Sequence, residues 1–222
     1  ALSTLLGADT PHNEGSYRMV RVVAPKGSVV NPLAPAPVTF STVHPTYEIV
    51  HAIWKALAPA VPGRVSSGWG KLCHPVTSGL DPNGKLFIMY HMAAQPGAGA
   101  MCGRDGFDQI GQLQSLGAIT IPNLESYEQL YPIEFIKHEF RTDSAGAGQF
   151  RGGTGVEYAL RMLMPTKNNL RGEGVGAQTG FGLCGGMAGA SAELIIEPGT
   201  DAERALPVSG VIDLPPCTML VR

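Results

Sequence analysis

Glycine and proline interrupt this chain so often that few windows remain in which a helix of several turns could form. There are 29 glycines and 18 prolines in 222 residues, spread between apolar segments without a fixed period, where average usage of the two together is about 12%. Glycine inside a regular element costs about 0.5–1 kcal/mol and proline breaks a helix outright. One window escapes, Pro45 to Ala60. There Tyr47, Val50, Trp54, Leu57 and Val61 follow one another at helical steps, and Ile49 and Ile53 widen the stripe. Pro45 suits the first helical position, Glu48 lies near the positive end of the dipole, and Pro59 with Pro62-Gly63 ends the element. Val50, Trp54 and Leu57 are therefore expected in the core. His44 and His51 could share a face of this helix, but no third ligand stands near them to complete a metal site.

Most of the remainder reads as strands. Lys85–Met92 is expected as a buried strand, followed by Ile133–Phe140, Val156–Met164, Ala192–Glu197 and Val208–Leu214. Tyr17–Ala24 alternates loosely before a Pro25-Lys26-Gly27 turn, and the spaced prolines from Asn31 to Pro37 predict an extended, polyproline-like crossing. Glycine clusters at 96–106, 145–155 and 171–189 connect these runs. The fold class is thus α+β, strand-dominated, with one main amphipathic helix at about 45–60 and glycine-rich connecting loops, in a single segment 1–222. Ala1–Gly7 reads as the last turns of a helix, and Thr218–Arg222 as a strand-like run without a closing turn. Both ends suggest a segment of a longer polypeptide or of a larger assembly.

Only 15% of residues are charged while 44% are hydrophobic, against about 25% charged in an average soluble domain. Heavy burial is expected. With 16 basic and 18 acidic residues, for a net charge of −2, there is no basic face for nucleic acid. No apolar run approaches the ~18 residues a spanning helix requires. Cys73, Cys102, Cys184 and Cys217 are isolated and form no CxxC, which predicts buried free thiols and no zinc site in this segment. No basic stretch precedes an apolar one at the start, so no signal peptide is read.

The most unusual stretch runs from Arg141 to Gly155. Gly146, Gly148, Gly152, Gly153 and Gly155 would let backbone N–H groups approach an anion, between flanking Arg141 and Arg151. No Gly-Lys-Ser/Thr occurs, so this is no P-loop. The alternative is a rigid glycine-rich hairpin joining two strands, with Asp143 paired to Arg141 or Arg151. Alanine at Gly146, Gly148, Gly152 or Gly153 should then cost more than about 1 kcal/mol wherever φ is positive. Arg104-Asp105-Gly106 forms a second turn-like cluster, facing either a ligand or its own fold. Glu139 and Arg141 should share a strand face and could hold a polar substrate or each other. The candidate catalytic residues are Glu139, Arg141, Asp143, Arg151, Arg104 and Asp105. No GxSxG occurs, and Cys73 beside His74 does not indicate a nucleophile.

In order along the chain, several stretches together resemble the B-type subunit of the hydantoinase/oxoprolinase family. They are Pro11 to Arg18, Ala24 to Ser28 with Asn31-Pro32, and Pro35 to Val38. Gly97 to Ala100 with Arg104-Asp105-Gly106 follows, then Ile121 to Glu125 with Glu128 and Tyr131-Pro132. Asp143 to Gly148 with Arg151 to Gly155, and Gly182 to Gly186, complete the set. The family includes N-methylhydantoinase B, the C-terminal half of 5-oxoprolinase, and subunits of acetone and acetophenone carboxylases. The resemblance implies part of the B-type subunit of an ATP-dependent, multi-subunit cytoplasmic enzyme. It also implies an A-type partner subunit that binds ATP and Mg, and a phosphorylated intermediate. A cyclic amide of hydantoin, oxoproline or lactam type would be opened by water. The alternatives are an ATP-dependent ketone carboxylase subunit, and a structural fragment that completes the subunit without catalytic residues. The resemblance covers the C-terminal part of such a subunit. The family's metal, Zn or Mn, would belong to the preceding N-terminal part, so no metal ligand is assigned in this segment. Nucleic acid and membrane are not expected partners.

Overall fold

The helix expected at 45–60 is α2 (His44–Leu57) in the computed structural model, which describes residues 9–11, 13–38, 44–71, 73–113 and 120–222. The chain divides into two compact units, Ala1–Ser66 and Ser67–Arg222. In the first, α2 buries Tyr47, His51 and Trp54, with Ala58 just beyond its last turn. Val50 and Leu57, expected in the core, are only half-buried. The buried stripe runs through His51 instead, whose ring lies 6.2 Å from Tyr47 and 6.1 Å from Trp54. Burial lowers the His51 pKa to about 4, helped by Lys55, so the ring is neutral and packs as a core residue.

No strand forms over Tyr17–Ala24. Tyr17 closes the short helix α1 (Glu14–Tyr17), capped by Asn13, and the residues up to Ala24 are exposed without a strand partner among the described residues. The turn after them is present: Gly27 takes φ 82°, and its N–H donates to Asn31 O at 2.8 Å. The Asn31 amide donates to Ala24 O at 2.8 Å, which closes the turn. The proline-rich segment bends rather than extends, with a cis Ala34–Pro35 bond and Ala36 N donating to Leu33 O at 3.0 Å. The helical reading of Ala1–Gly7 lies outside the described residues.

The second unit is two antiparallel sheets that share one core. The first contains β1 (Val76–Leu80), β2 (Leu86–Tyr90), β5 (Thr166–Arg171) and β8 (Ser209–Leu214) in the order β2-β1-β5-β8. The second contains β3 (Ile133–Phe140), β4 (Val156–Met162), β6 (Leu194–Ile196), β7 (Arg204–Ala205) and β9 (Thr218–Val221) in the order β3-β4-β9-β6-β7. Phe87, Met89, Leu170 and Leu214 from one sheet and Ile133, Leu160, Met162, Leu194, Met219 and Val221 from the other form the apolar core. At roughly 1.5–3 kcal/mol per fully buried side chain, this shared core is the main stabilising feature of the unit. A seven-residue helix, α3 (Leu124–Leu130), is capped by Asn123 and places Tyr127 and Tyr131 against the core.

The fold class is as expected, but β1, β5, β7 and the short helices α1 and α3 go beyond the expected elements, and β2 differs in its burial. β2 is buried on one face only: Phe87 and Met89 point inward while Leu86, Ile88 and Tyr90 are exposed. β1 and β5 did not announce themselves. β1 is short and contains Gly79, while β5 turns Thr166 and Asn168 inward beside Leu170, so its buried face is mostly polar. A signal for β1 was present in Asp81-Pro82-Asn83-Gly84. The Asp81 carboxylate accepts from Asn83 N at 2.9 Å and Lys85 N at 2.8 Å, and Gly84 takes φ 78°, which closes a β1–β2 hairpin.

Candidate functional site

Three glycine-rich segments of the second unit meet backbone to backbone. Gly153 N donates to Ala98 O at 2.8 Å, Ala98 N to Phe107 O at 2.9 Å, and Gly106 N to Arg151 O at 2.8 Å. Side chains have no room at this crossing. A Cβ on Gly106 would lie 2.6 Å from Gly153 N, and one on Gly153 would lie 2.6 Å from Phe107 C and 2.9 Å from Ala98 N. Glycine is required here by close approach.

The candidate site residues attach to this crossing. Asp105 accepts from Arg151 N at 2.7 Å, and Asp108 from Thr154 N at 2.5 Å. The Arg151 guanidinium lies 3.8 Å from Asp108, while that of Arg104 sits over the Phe107 ring, 5.3 Å from its centre. The backbone donors of 151–155 are thus largely committed within the protein: Gly152 N to Gly146 O at 3.0 Å and Gly155 N to the Ser144 hydroxyl at 3.0 Å. The hairpin alternative describes this stretch, since 141–155 joins antiparallel β3 and β4.

The ion pairs expected inside the hairpin are replaced by pairs to other segments. Arg141 donates to Ser191 O at 2.5 Å and pairs with Glu193 at 3.2 Å, and Arg222 pairs with the other Glu193 oxygen at 2.9 Å. One carboxylate therefore ties the end of β3 to β9. Arg151 pairs with Asp108 rather than Asp143. Asp143 itself takes φ 54°, a left-handed position that aspartate tolerates better than most residues. None of Gly146, Gly148, Gly152 and Gly153 has a positive φ. Glu139 does not meet Arg141 in an ion pair; it pairs with Lys137 at 2.7 Å, and Lys137 also reaches Glu157 at 2.5 Å. The two carboxylates raise the Lys137 pKa. Of the six candidates, Arg104, Asp105 and Arg151 gather at the glycine crossing, whereas Glu139, Arg141 and Asp143 are held elsewhere.

A buried polar chain runs between the sheets, outside all of the candidate residues. Thr77 O–H donates to Asn168 Oδ1 at 2.5 Å, so the Thr77 oxygen accepts from His91 Nε2 at 2.7 Å. His91 Nδ1 is then the acceptor for Tyr158 O–H at 2.8 Å. Asn168 Nδ2 donates onward to Thr166 Oγ1 at 2.9 Å, and that hydroxyl reaches Met162 Sδ at 3.2 Å. All six residues are at least nine-tenths buried. Burial lowers the His91 pKa to about 3, with His74 adding to the effect, and pushes that of Tyr158 up. The chain fixes the register of β1, β2, β4 and β5 with each donor matched to one acceptor. Its sequence signal was the inward alternation of Thr166 and Asn168 with Leu170.

His74 points away from nucleophile chemistry: its Nε2 bonds Ala94 O at 3.1 Å and its Nδ1 bonds the Gln112 amide at 3.2 Å. Burial lowers its pKa to about 4 and raises that of Cys73 to about 12, so neither forms a thiolate–imidazolium pair. All four cysteines are free thiols, but Cys102 and Cys184 are exposed rather than buried. Among the described residues no group of three His, Cys, Asp or Glu side chains could hold a metal ion. No helix among them is long and apolar enough to cross a membrane.

The chain is similar to known proteins in sequence and in fold. Residues 1–219 match the family described as Hydantoinase B/oxoprolinase. The chain belongs to the hydantoinase B/oxoprolinase family. It is 36% identical over 157 residues to caprolactamase subunit beta of Pseudomonas jessenii, covering 69% of this chain and 27% of that protein. The crystal structure of the ATP-dependent caprolactamase of the same organism superposes with a TM-score of 0.77 at 28% identity, over 99% of this chain and 39% of that one. Acetone carboxylase in its nucleotide-free form shares the fold, with a TM-score of 0.61 at 15% identity over 76% of this chain and 28% of its own. The chain thus spans well under half the length of these relatives.

Proposed function

We propose that this chain is the C-terminal part of the B-type subunit of an ATP-dependent enzyme that opens a cyclic amide of lactam, hydantoin or oxoproline type with water. The observation that carries this reading is the superposition on the caprolactamase over 99% of the chain at a TM-score of 0.77, beside 0.61 over 76% for the carboxylase. ATP and Mg would reside on an A-type partner subunit, a phosphorylated intermediate would pass to the B-type subunit, and the assembly would work in the cytoplasm. Among the described residues no group of three His, Cys, Asp or Glu side chains fits a metal ion; by the family resemblance, Zn or Mn would be held in the N-terminal part of the subunit.

Within that enzyme the chain acts as a scaffold. Asp105, Asp108 and Arg151 serve the glycine crossing, Arg141 serves Glu193, and Glu139 serves Lys137. These commitments support the structural reading of the segment, with the reacting groups on the rest of the subunit. The test is ATP turnover by the assembled enzyme, screened against hydantoins, 5-oxoproline and lactams, and against ketones with bicarbonate. Cyclic amides should stimulate ATP cleavage and yield the ring-opened amino acid. Stimulation by a ketone with bicarbonate alone would overturn the amide reading.

A further inference from the structure

The second unit has four edge strands among its described residues, and three are protected against pairing with a further strand. β3 is bulged between Phe135 and Lys137 and carries Glu134, Lys137 and Glu139. β7 is only two residues long. β8 contains Gly210 at φ 138° and Asp213, which pairs with Lys167 at 2.8 Å. Bulges, charges and short length are the usual ways to blunt an edge.

β2 has none of them. It ends the first sheet, contains no charged residue, glycine or proline, and turns Leu86, Ile88 and Tyr90 outward at 63%, 54% and 55% exposure. The register sets Leu80, also exposed, directly opposite Leu86, and Val76 opposite Tyr90. The outer face is therefore uncharged over β1 and β2, with Ser78 opposite Ile88 between the two apolar pairs, and becomes charged at Lys167 and Arg171 on β5 and Asp213 on β8. Where the halves meet, an open groove is lined by Leu80, Leu86, Pro165, Lys167 and Asp213, among others. α3 occupies only one end of this edge, where Tyr127 O–H donates to Tyr90 O at 3.3 Å.

We infer that β2 receives an added strand from the part of the B-type subunit outside residues 1–222, with alternate apolar side chains laid on Leu80, Leu86 and Ile88. This rests on the proposed place of the chain in a larger subunit. The matched region is 39% of the solved caprolactamase chain, so most of such a subunit lies outside this fold and must be attached to it. Among the described edge strands, β2 alone combines open backbone groups with an uncharged apolar face, the two features strand addition uses.

The test places a photoreactive benzoylphenylalanine at Ile88 in the assembled enzyme and maps the cross-link by mass spectrometry. Ile88 points away from the core, so the fold should tolerate the change. The expected product joins position 88 to a peptide of the same subunit outside these 222 residues, and the same probe at Lys167 should give at least about tenfold less of it. Amide exchange in the unsubstituted enzyme is the second measurement: all five amides of β2 should be protected, whereas a free edge leaves alternate amides exchanging fast. A cross-link to a second copy of this chain or to a different subunit would overturn the inference, as would no cross-link with alternate fast amides. Neither measurement depends on substrate, so an enzyme inactive on cyclic amides would refute the proposed reaction and leave this result standing.

Discussion

Gly153→Ala should destabilise the second unit by about 2–4 kcal/mol, through backbone approach alone. The new Cβ would lie 2.6 Å from Phe107 C and 2.9 Å from Ala98 N, both main-chain atoms that cannot rotate away. Restoring an ordinary contact of about 3.6 Å would separate the segments by about 1 Å. The bonds Gly153 N to Ala98 O and Ala98 N to Phe107 O, now 2.8 and 2.9 Å, would then exceed hydrogen-bonding distance. Each lost bond costs about 0.5–1.5 kcal/mol net, and an unsatisfied buried partner adds about 1–3 kcal/mol. Two controls separate the cause. Gly152→Ala meets nothing nearer than Gly146 N at 3.3 Å, so under about 1 kcal/mol is expected. Gly176→Ala has open space but φ +71°, for about 1 kcal/mol of backbone strain. Urea unfolding, read as midpoint shifts at constant slope, measures all three. If Gly153→Ala lies within 1 kcal/mol of the parent (about the cost of an average point change), or if Gly152→Ala costs as much, close approach is not what the crossing requires.

Trp54→Ala should cost about 3–5 kcal/mol in the same assay, because the ring is buried on α2. Glu193→Gln should cost about 1 kcal/mol, since it removes the charge between Arg141 and Arg222 at a partly exposed site, and most of that cost should vanish in high salt. Arg151→Lys should change stability by less than about 0.5 kcal/mol and leave turnover of the assembled enzyme unchanged, because its pair with Asp108 is long and solvent-facing. Acid should destabilise the chain through its buried histidines. His51, His74 and His91 have folded pKa values lowered to about 4, about 4 and about 3 from 6.5. Between those values and 6.5 the unfolded state binds more protons, so stability is full above pH 6.5 and falls as pH drops towards 4. Melting temperature against pH, with His51→Phe flattening the slope, checks this.

The elements legible in the sequence were those whose pattern is made by apolar residues. Ile133–Phe140 was read to its exact bounds, and Pro45–Ala60 differs from α2 by one residue at its start and three at its end. β5 was missed because its inward residues are Thr166, Asn168 and Leu170, and hydropathy cannot tell a buried asparagine in a completed hydrogen-bond chain from a solvated one. His51 was missed as a core residue for the same reason. The 141–155 stretch was legible as a glycine-rich hairpin joining two strands, but the need for its glycines was not. Spacing shows where glycine occurs, whereas the need for it at Gly106 and Gly153 comes from segments about fifty residues apart in sequence that the fold brings together.

That same crossing explains why residue types suited to chemistry proved a poor guide to a site. Arginine and aspartate beside glycine are what an anion-binding loop would need, and they are also what a backbone crossing needs. The carboxylate of Asp105 or Asp108 satisfies an N–H that no strand partner can reach. Both uses give one sequence pattern, and they differ only in where the donors point. Here the donors of Arg151, Gly152, Gly153, Thr154 and Gly155 all point into the protein. Substitutions at these positions should therefore appear first in unfolding and assembly, and in turnover only to the extent that the folded population falls.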